Sequence, residues 1–159
     1  LFDVDYDHIK VLVQRESVIH SMVELTDGAF IAHLGTADMR IPIQYALTYP
    51  ERMPSPVPVL DFARQGQIHF ENPDFKRFPA LALAYEAGKT GGTMPAVLNA
   101  ANEMAVHAFL KGKLSFTRMA DLVAKVMARH NSIQSPSLEQ ILQADNWARE
   151  TCQGLIGEY

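Results

Sequence analysis

The sequence contains a single cysteine, Cys152, among its 159 residues. One cysteine cannot close an internal disulfide, and it cannot supply a cysteine-based metal site. Because this cysteine usage fits a reducing compartment, we expect a cytoplasmic protein.

Positive charge is not in excess either, since 14 Lys and Arg stand against 18 Asp and Glu and the formal net charge is −4. No stretch gathers basic residues on one face, so the electrostatic footprint of a nucleic-acid-binding protein is missing. The longest apolar runs, such as residues 79–85, are far shorter than the roughly 20 residues of a membrane-spanning helix. Neither nucleic acid nor a membrane is therefore an expected partner.

Glycine-rich nucleotide loops are also missing. Gly88-Lys89-Thr90 resembles the end of a phosphate-binding loop, but that motif needs a glycine five positions earlier, where Leu83 stands. No Gly-x-Gly-x-x-Gly pattern occurs, so we expect no dinucleotide site of that kind within this chain. What is present, 48% hydrophobic and 20% charged residues, is the composition of a soluble globular protein.

The first third of the chain has the pattern of β-strands. Residues 9–13 are β-branched and apolar, and residues 19–25 partly alternate. The pair Asp27-Gly28 favours a two-residue type I′ turn, which needs positive φ at both positions. We therefore predict that residues 19–25 pair with residues 29–34.

Helical spacing follows this hairpin and ends at Pro50, with Pro42 in the first turn. Residues 50–58 hold four of the chain's 9 prolines and favour an extended, semi-rigid connector. A short strand is predicted at residues 67–70, before Asn-Pro breaks it.

Four helices are predicted after the connector, at about residues 75–87, 93–112, 116–130 and 137–155. Gly88 is expected to end the first, and Ser115 is placed to cap the third. Ser137 and Gln140 form a capping box for the fourth, in which a break near Asp145 is left open.

The whole pattern predicts an α+β fold. A short antiparallel β-hairpin or sheet lies at the front, a proline-rich connector follows, and a C-terminal all-α domain resembles a four-helix bundle. The expected divisions are residues 1–49, 50–73 and 74–159.

Two constellations near the hairpin are candidates for chemistry. His20 and Glu24 share a strand face and His33 lies on the paired strand, so a metal site is conceivable, although solvated surface residues are the simpler interpretation. Ser17 and His20 point to opposite faces of a regular strand. A nucleophile–base pair would therefore need a bulge or an irregular turn before Val18.

A third constellation lies in the second predicted helix of the bundle. Asn99, Asn102 and Glu103 occupy neighbouring helix positions on an alanine-rich surface. A carboxylate and two amides offer no nucleophile, so a polar packing network or an exposed face is favoured over catalysis.

Four separate motifs occur in order along the sequence. They are Ser17-Val18-Ile19-His20-Ser21-Met22-Val23-Glu24, Asp27-Gly28, Leu34-Gly35-x-x-Asp38-Met39-Arg40-x-Pro42-Ile43 and Leu98-Asn99-Ala100-Ala101-Asn102-Glu103. Together they resemble one enzyme family, the 1-deoxy-D-xylulose 5-phosphate reductoisomerases. The resemblance runs in order over the whole chain, which makes it far more specific than any single motif.

The resemblance implies that this chain is the back portion of a larger enzyme. In the family, an NADPH-binding domain and the acidic residues that hold Mg²⁺ or Mn²⁺ precede the position of Leu1. No catalytic residue, cofactor site or metal ligand is therefore expected in this chain, and the chain alone is expected to be inactive.

The family's reaction is a metal-assisted rearrangement of 1-deoxy-D-xylulose 5-phosphate, a small phosphorylated sugar, followed by hydride transfer from NADPH. The product is 2-C-methyl-D-erythritol 4-phosphate, for isoprenoid synthesis, and the front strands build a homodimer interface. One alternative is a stand-alone dimerisation module without catalysis. Another is a small metal-dependent enzyme built on His20, Glu24 and His33.

The resemblance also assigns pocket-lining roles to three side chains. Ser17 and His20 match the family's Ser-x-x-His beside the substrate pocket, where they would hydrogen-bond substrate or water near the phosphate. Met39 matches a methionine where substrate and nicotinamide meet, and there it would exclude water. The sequence departs from the family at residues 14–16, which read Gln-Arg-Glu where His-Pro-Gln is frequent, and at Ala37, where the family has proline.

Overall fold

The computed structural model describes residues 4–157. The chain divides into two compact units. The helical unit joins Leu1–Lys10 to Asp74–Tyr159, and the hairpin unit is Val11–Pro73. Within residues 4–157, a two-stranded antiparallel sheet and six α-helices form, and this mixture confirms the predicted α+β class.

The hairpin unit contains the predicted pair of strands. β1 spans Ile19–Glu24 and β2 spans Phe30–Leu34, and the two run antiparallel. Val23 lies opposite Ile31, and both side chains are exposed. The sheet therefore presents apolar surface that is not covered within this unit.

The turn between the strands is not the predicted type I′ turn. Among the non-glycine residues of the loop none has positive φ, whereas Gly28 has φ of 84°. The N–H of Gly28 donates to the carbonyl of Leu25 at 3.0 Å, and the N–H of Leu25 donates to Ala29 at 2.8 Å. This is a three-residue loop, a type I turn followed by a left-handed glycine, so only Gly28 has to adopt the left-handed conformation.

Two further predicted strands do not form among the described residues. Residues 9–13 and 67–70 make no ladder, and only Val13 and Glu71 form an isolated antiparallel bridge. A strand needs repeated hydrogen bonds to a partner, whereas Val13 pairs with one residue only, Glu71, which follows the second segment. The predicted helix is present as α1, Arg40–Thr48, and a short α2, Phe62–Gln65, follows the connector.

The helical unit contains the four predicted helices. Their bounds are α3 Ala80–Thr90, α4 Met94–Leu110, α5 Phe116–Ala128 and α6 Leu138–Ile156. The capping box of Ser137 and Gln140 is present, and α6 continues through Asp145 without a break. Ser115 stands at the N-cap position of α5, but its hydroxyl makes no bond to the helix backbone.

The sequence pattern predicts that Gly88 ends α3, and this prediction is wrong. The helix continues to Thr90 and ends at Gly91, which has φ of 67°. A Cβ at Gly88 would overlap the ring of Tyr6, so the glycine is there because Tyr6 packs directly against the helix backbone.

Helix α4 lies at the centre of the helical unit and packs against α3, α5 and α6. Its buried residues are mostly small, which lets the neighbouring helix backbones come close. They are Met94, Val97, Ala100, Ala101, Ala105 and Ala108. Cys152 on α6 is fully buried against this helix, and burial raises the pKa of its thiol to about 11.

A short glycine loop, residues 91–93, connects α3 to α4 and is held by the segment between α5 and α6. Thr93 is fully buried, its N–H donates to the carbonyl of Ile133, and its Oγ1 accepts from the N–H of Ile133, each at 3.1 Å. Oγ1 also lies 2.7 Å from Nε2 of His130. Since the hydroxyl hydrogen is free to point at Nε2, the geometry suits a neutral imidazole that accepts it.

We expect the stability of the helical unit to fall as His130 becomes protonated. Burial lowers the pKa of His130 below its usual 6.5, so the unfolded chain binds the proton more readily than the folded chain. The unfolding free energy therefore rises with pH in this window; the contribution is complete above pH 6.5 and is lost as pH falls through the folded-state pKa.

Urea unfolding of the wild type and of His130→Gln at several pH values measures this effect, with the fluorescence of Trp147, the single tryptophan, as the signal. The variant should lose less unfolding free energy than the wild type on acidification. Equal losses of unfolding free energy in the two proteins would show that protonation of His130 is not the cause.

No helix within residues 4–157 combines the length and the apolar character needed to cross a membrane.

Candidate functional site

A tight turn that carries Ser17 precedes β1. Ser17 has φ of 52°, in the left-handed region that few residues other than glycine adopt. Its N–H donates to the carbonyl of Gln14 at 3.2 Å, which closes the four-residue turn. Ser17 is exposed, so its hydroxyl faces solvent at the surface of the hairpin unit.

His20 occupies a β-bulge three residues later. Ile19 pairs with Leu34, but Ser21 pairs with His33, so His20 is one extra residue in β1. Bulges of this kind re-aim a side chain and are common beside active sites. The sequence offered a bulge or an irregular turn as alternative ways to place Ser17 and His20 on one side, and the structure contains both, a left-handed turn before Val18 and a bulge at His20.

The third predicted pocket residue, Met39, lies at a different element. It is the N-cap residue of α1 and is 70% exposed. The loop that leads to it starts at Gly35, whose N–H donates to the carbonyl of Val18 at 3.0 Å. The backbone between Ser17 and His20 is therefore bonded to the beginning of the Met39 loop.

The neighbouring Asp38 and Arg40 form a close ion pair, with Nη2 to Oδ2 at 2.6 Å. The hydrogen bond to Arg40 lowers the pKa of Asp38 to about 2. Both side chains are thereby engaged with each other beside Met39.

A metal site at His20, Glu24 and His33 is not formed. The rings of His20 and His33 are 5.7 Å apart between centroids. Within the described range, residues 4–157, no group of three or more His, Cys, Asp or Glu side chains is arranged to hold a metal ion. The described residues therefore give no support to a small metal enzyme built on these three side chains.

A polar network joins the Ser17 turn to residues far away in the sequence. Oε1 of Glu16 lies 2.6 Å from Nδ1 of His69, and Arg15 pairs with Glu71 at 2.9 Å. Sequence reasoning missed His69, since no periodicity or motif links two residues 53 positions apart. The one available signal was the departure from the family's pattern at residues 14–16.

The helical unit contains a cavity of about 800 Å³ between α3, α4 and α5. Its lining is largely apolar, with Asn99, Asn102 and Asp121 contributing polar atoms and Lys76 and Arg77 contributing basic ones. Glu103, the third member of the α4 constellation, is instead paired with Arg149 of α6 at 2.7 Å. Arg149 also binds Asp145 at 2.6 Å, so Glu103 belongs to a polar network between helices, as the sequence favours.

Comparison with known proteins gives the same family as the sequence motifs. A family model described as "DXP reductoisomerase C-terminal domain" matches residues 34–151. A curated 1-deoxy-D-xylulose 5-phosphate reductoisomerase from Desulforamulus reducens is 56% identical over 98% of this chain, and one from Listeria monocytogenes is also 56% identical over 98%. The chain spans only 40% and 41% of their respective lengths.

Solved structures agree in fold as well as in sequence. The reductoisomerase of Zymomonas mobilis in complex with NADPH has 45% identity and a TM-score of 0.90, over 98% of this chain and 41% of that one. A reductoisomerase in complex with NADPH, fosmidomycin and magnesium has 38% identity and a TM-score of 0.88, over 98% and 40%. Since the family model covers most of the chain and the fold is shared, this chain belongs to the DXP reductoisomerase C-terminal domain family.

Proposed function

We propose that this chain is the C-terminal part of a reductoisomerase that converts 1-deoxy-D-xylulose 5-phosphate to 2-C-methyl-D-erythritol 4-phosphate with NADPH and a divalent metal. The observation that carries this proposal is the likeness to the Zymomonas mobilis enzyme, 45% identical over 98% of the chain. The chain spans about 40% of its relatives, so the rest of the active site comes from residues outside it.

In this proposal the three parts of the chain have separate tasks. Residues 1–49 complete the catalytic domain, residues 50–73 connect, and residues 74–159 form the C-terminal helical domain. The proposed location is the cytoplasm, where the lone thiol of Cys152 stays reduced.

The proposed work of this chain at the active site is binding and orientation. Ser17 and His20 hydrogen-bond the phosphorylated sugar or its water, and Met39 shields the meeting point of sugar and nicotinamide from solvent. The exposure of all three residues supports these roles, because their side chains are free to meet a ligand. The described residues do not fit a metal site, so no metal-dependent step is assigned to them.

A chimeric enzyme tests the proposal. This chain replaces the C-terminal 41% of the Listeria monocytogenes relative, to which it is 56% identical. With NADPH, Mg²⁺ and 1-deoxy-D-xylulose 5-phosphate, the chimera is expected to oxidise NADPH within about tenfold of the relative's rate, which allows roughly 1.4 kcal/mol for imperfect packing at the junction. The fall in NADPH absorbance measures the rate.

This chain by itself should show no such turnover under the same conditions. A folded chimera that binds NADPH but leaves the sugar unchanged would contradict the proposal. That result, with a dimeric chain, would instead favour a dimerisation module without catalysis.

We further propose that the hairpin forms a homodimer contact. Val23, Phe30 and Ile31 are each about 60% exposed on β1 and β2. Within the described residues the sheet has only these two strands, so each strand has one edge without a strand partner. Exposed strand edges with apolar side chains recruit another chain.

The purified chain is expected to be a dimer or larger in light scattering, and Ile31→Lys should shift it towards monomer. The matched control is Val59→Lys, a residue of the same unit that is 93% exposed outside the hairpin and should leave the mass unchanged. A wild-type chain that stays monodisperse and monomeric at all concentrations would count against this contact.

A further inference from the structure

On the basis of the proposed function, we infer that Gln14, Glu16 and His69 form a positioning relay that sets the geometry of Ser17 and His20 towards the phosphorylated sugar. None of the three relay residues would touch the sugar. They would act through the backbone that carries the two pocket residues.

Gln14 is the centre of the relay because it binds three consecutive backbone N–H groups. Its carbonyl accepts from Ser17 at 3.2 Å. Its side-chain Oε1 accepts from Val18 at 2.8 Å and from Ile19 at 3.2 Å. These are the backbone groups immediately between the Ser17 turn and the His20 bulge, so Gln14 holds both irregularities in place.

The conformation of Ser17 needs such support. A residue with a side chain costs about 1–2 kcal/mol in the left-handed region, and it stays there only when its surroundings hold it. Without Oε1 of Gln14, two N–H groups lose their acceptor, and Ser17 is free to relax to the β region. That change would redirect the Ser17 hydroxyl and move the start of β1.

Glu16 supports the orientation of the Gln14 amide that the backbone requires. The N–H groups of Val18 and Ile19 need the oxygen end of Gln14, and Nε2 at the other end donates to Oε2 of Glu16 at 3.0 Å. A carboxylate accepts and does not donate, so Glu16 binds the NH₂ end and holds the amide in this orientation.

His69 holds the carboxylate of Glu16 in place. Nδ1 of His69 lies 2.6 Å from Oε1 of Glu16, and the N–H of His69 donates to Oε2 at 3.4 Å. The hydrogen bond to His69 is the largest cause that lowers the pKa of Glu16 to about 2. Since a glutamate is already ionised at neutral pH, what His69 adds there is the position of the carboxylate.

A backbone bridge brings the two parts of the relay together. Val13 and Glu71 exchange two backbone hydrogen bonds of 2.9 Å, and Arg15 pairs with the Glu71 side chain. The Arg15–Glu71 pair shares this location but has no bond to Gln14. It therefore offers a matched control for a loss of charge pairing at the same place.

A first experiment tests the geometry on the chain itself, without any assay of activity. Amide hydrogen exchange by NMR is compared between wild type, Gln14→Met and Gln44→Met. Gln44 also donates its side-chain amide to two backbone carbonyls, of Met53 and Pro54, but it has no part in the relay. We expect exchange at Val18 and Ile19 to become about tenfold faster or more in Gln14→Met only.

A second experiment measures the effect on the sugar with the chimeric enzyme. Gln14→Glu places a carboxylate against the carboxylate of Glu16 with no donor between them, and we expect KM for the sugar to rise roughly tenfold, with KM for NADPH unchanged. Glu16→Gln alone keeps an amide oxygen that accepts from Gln14 and an NH₂ that can donate to Nδ1 of His69, so its KM for the sugar should stay close to that of the wild type. Together the two substitutions restore the match with the hydrogen-bond direction reversed, so KM should return to within about threefold of wild type. Glu71→Gln should leave both KM values unchanged.

The outcomes separate the relay from the proposed function. Unchanged exchange at Val18 and Ile19 in Gln14→Met overturns the relay, and so does a double variant no better than the worse single one. Should Gln14→Met unfold the hairpin unit, the isosteric Gln14→Glu and Glu16→Gln pair decides. An inactive wild-type chimera defeats the proposed function alone, and hydrogen exchange in the chain then decides whether the relay sets the backbone geometry.

Discussion

Gly92→Ala is expected to cost the helical unit about 3 kcal/mol of unfolding free energy, since both backbone strain and steric overlap oppose it. Gly92 has φ of 57°, which a residue with a side chain adopts only under strain. An added Cβ would also overlap the carbonyl oxygen of Ile133 and lie 2.7 Å from Oγ of Ser132. The backbone of Ile133 cannot yield, because it is bonded to Thr93 in both directions.

The same substitution at Gly154 is the matched control. Gly154 lies within α6, and a Cβ there meets no atom within 4 Å. Alanine is the better helix former, so Gly154→Ala should stabilise the protein by up to about 1 kcal/mol. Urea unfolding followed by Trp147 fluorescence measures both variants. If Gly92→Ala lost no stability, the close approach of the two loops would be refuted.

Thr93→Val is expected to lower the unfolding free energy by about 2 kcal/mol, although valine has nearly the same shape. Thr93 is fully buried. Its hydroxyl oxygen accepts a hydrogen bond from the N–H of Ile133 and lies within hydrogen-bond distance of Nε2 of His130. Valine would leave these two polar groups without their partner in the interior. The loss comes from unsatisfied hydrogen bonds rather than from an empty space.

Thr117→Val tests whether the chemical change alone has this effect. Thr117 is exposed, and its hydroxyl lies 3.4 Å from that of Ser115. We expect a change within about 0.5 kcal/mol, as for most surface substitutions. Equal losses at Thr93 and Thr117 in the same urea titration would show that burial of the Thr93 hydroxyl is not the cause.

Features that depend on near neighbours in the chain could be predicted from the sequence. The capping box of Ser137 and Gln140 forms as expected, because its atoms lie within one helical turn. The hairpin pairing also follows, since the spacing between its strands is short. The details of its turn did not follow, because Asp27-Gly28 is compatible with more than one loop length.

Predictions failed where a distant residue decides the local structure. Gly88 is predicted to end its helix, but a glycine is required there because the ring of Tyr6 occupies the space that a Cβ would fill. Residues 9–13 have the composition of a strand, yet only Val13 finds a partner, at Glu71. In each case the deciding contact lies far away along the chain, so no local pattern records it.

At the candidate site, too, the sequence predicts the local motifs but not the backbone geometry that distant contacts decide. Two motifs of the site could be matched to the family from the sequence alone, because they are short and contiguous: Ser17-x-x-His20 and Asp38-Met39-Arg40. The sequence could state only that a Ser17–His20 pair requires an irregular backbone. The left-handed turn and the bulge become visible only in the structure.

The sequence by itself determined the family, the α+β class and the approximate positions of the longer helices, because these follow from periodicity, capping and contiguous motifs. Only the tertiary structure decided how the Ser17 turn is held. The hydrogen bonds from Gln14 through Glu16 to His69 cross 53 positions between their last two members. Such a contact forms because the folded backbone brings Val13 beside Glu71, and this closure is a property of the fold rather than of any segment.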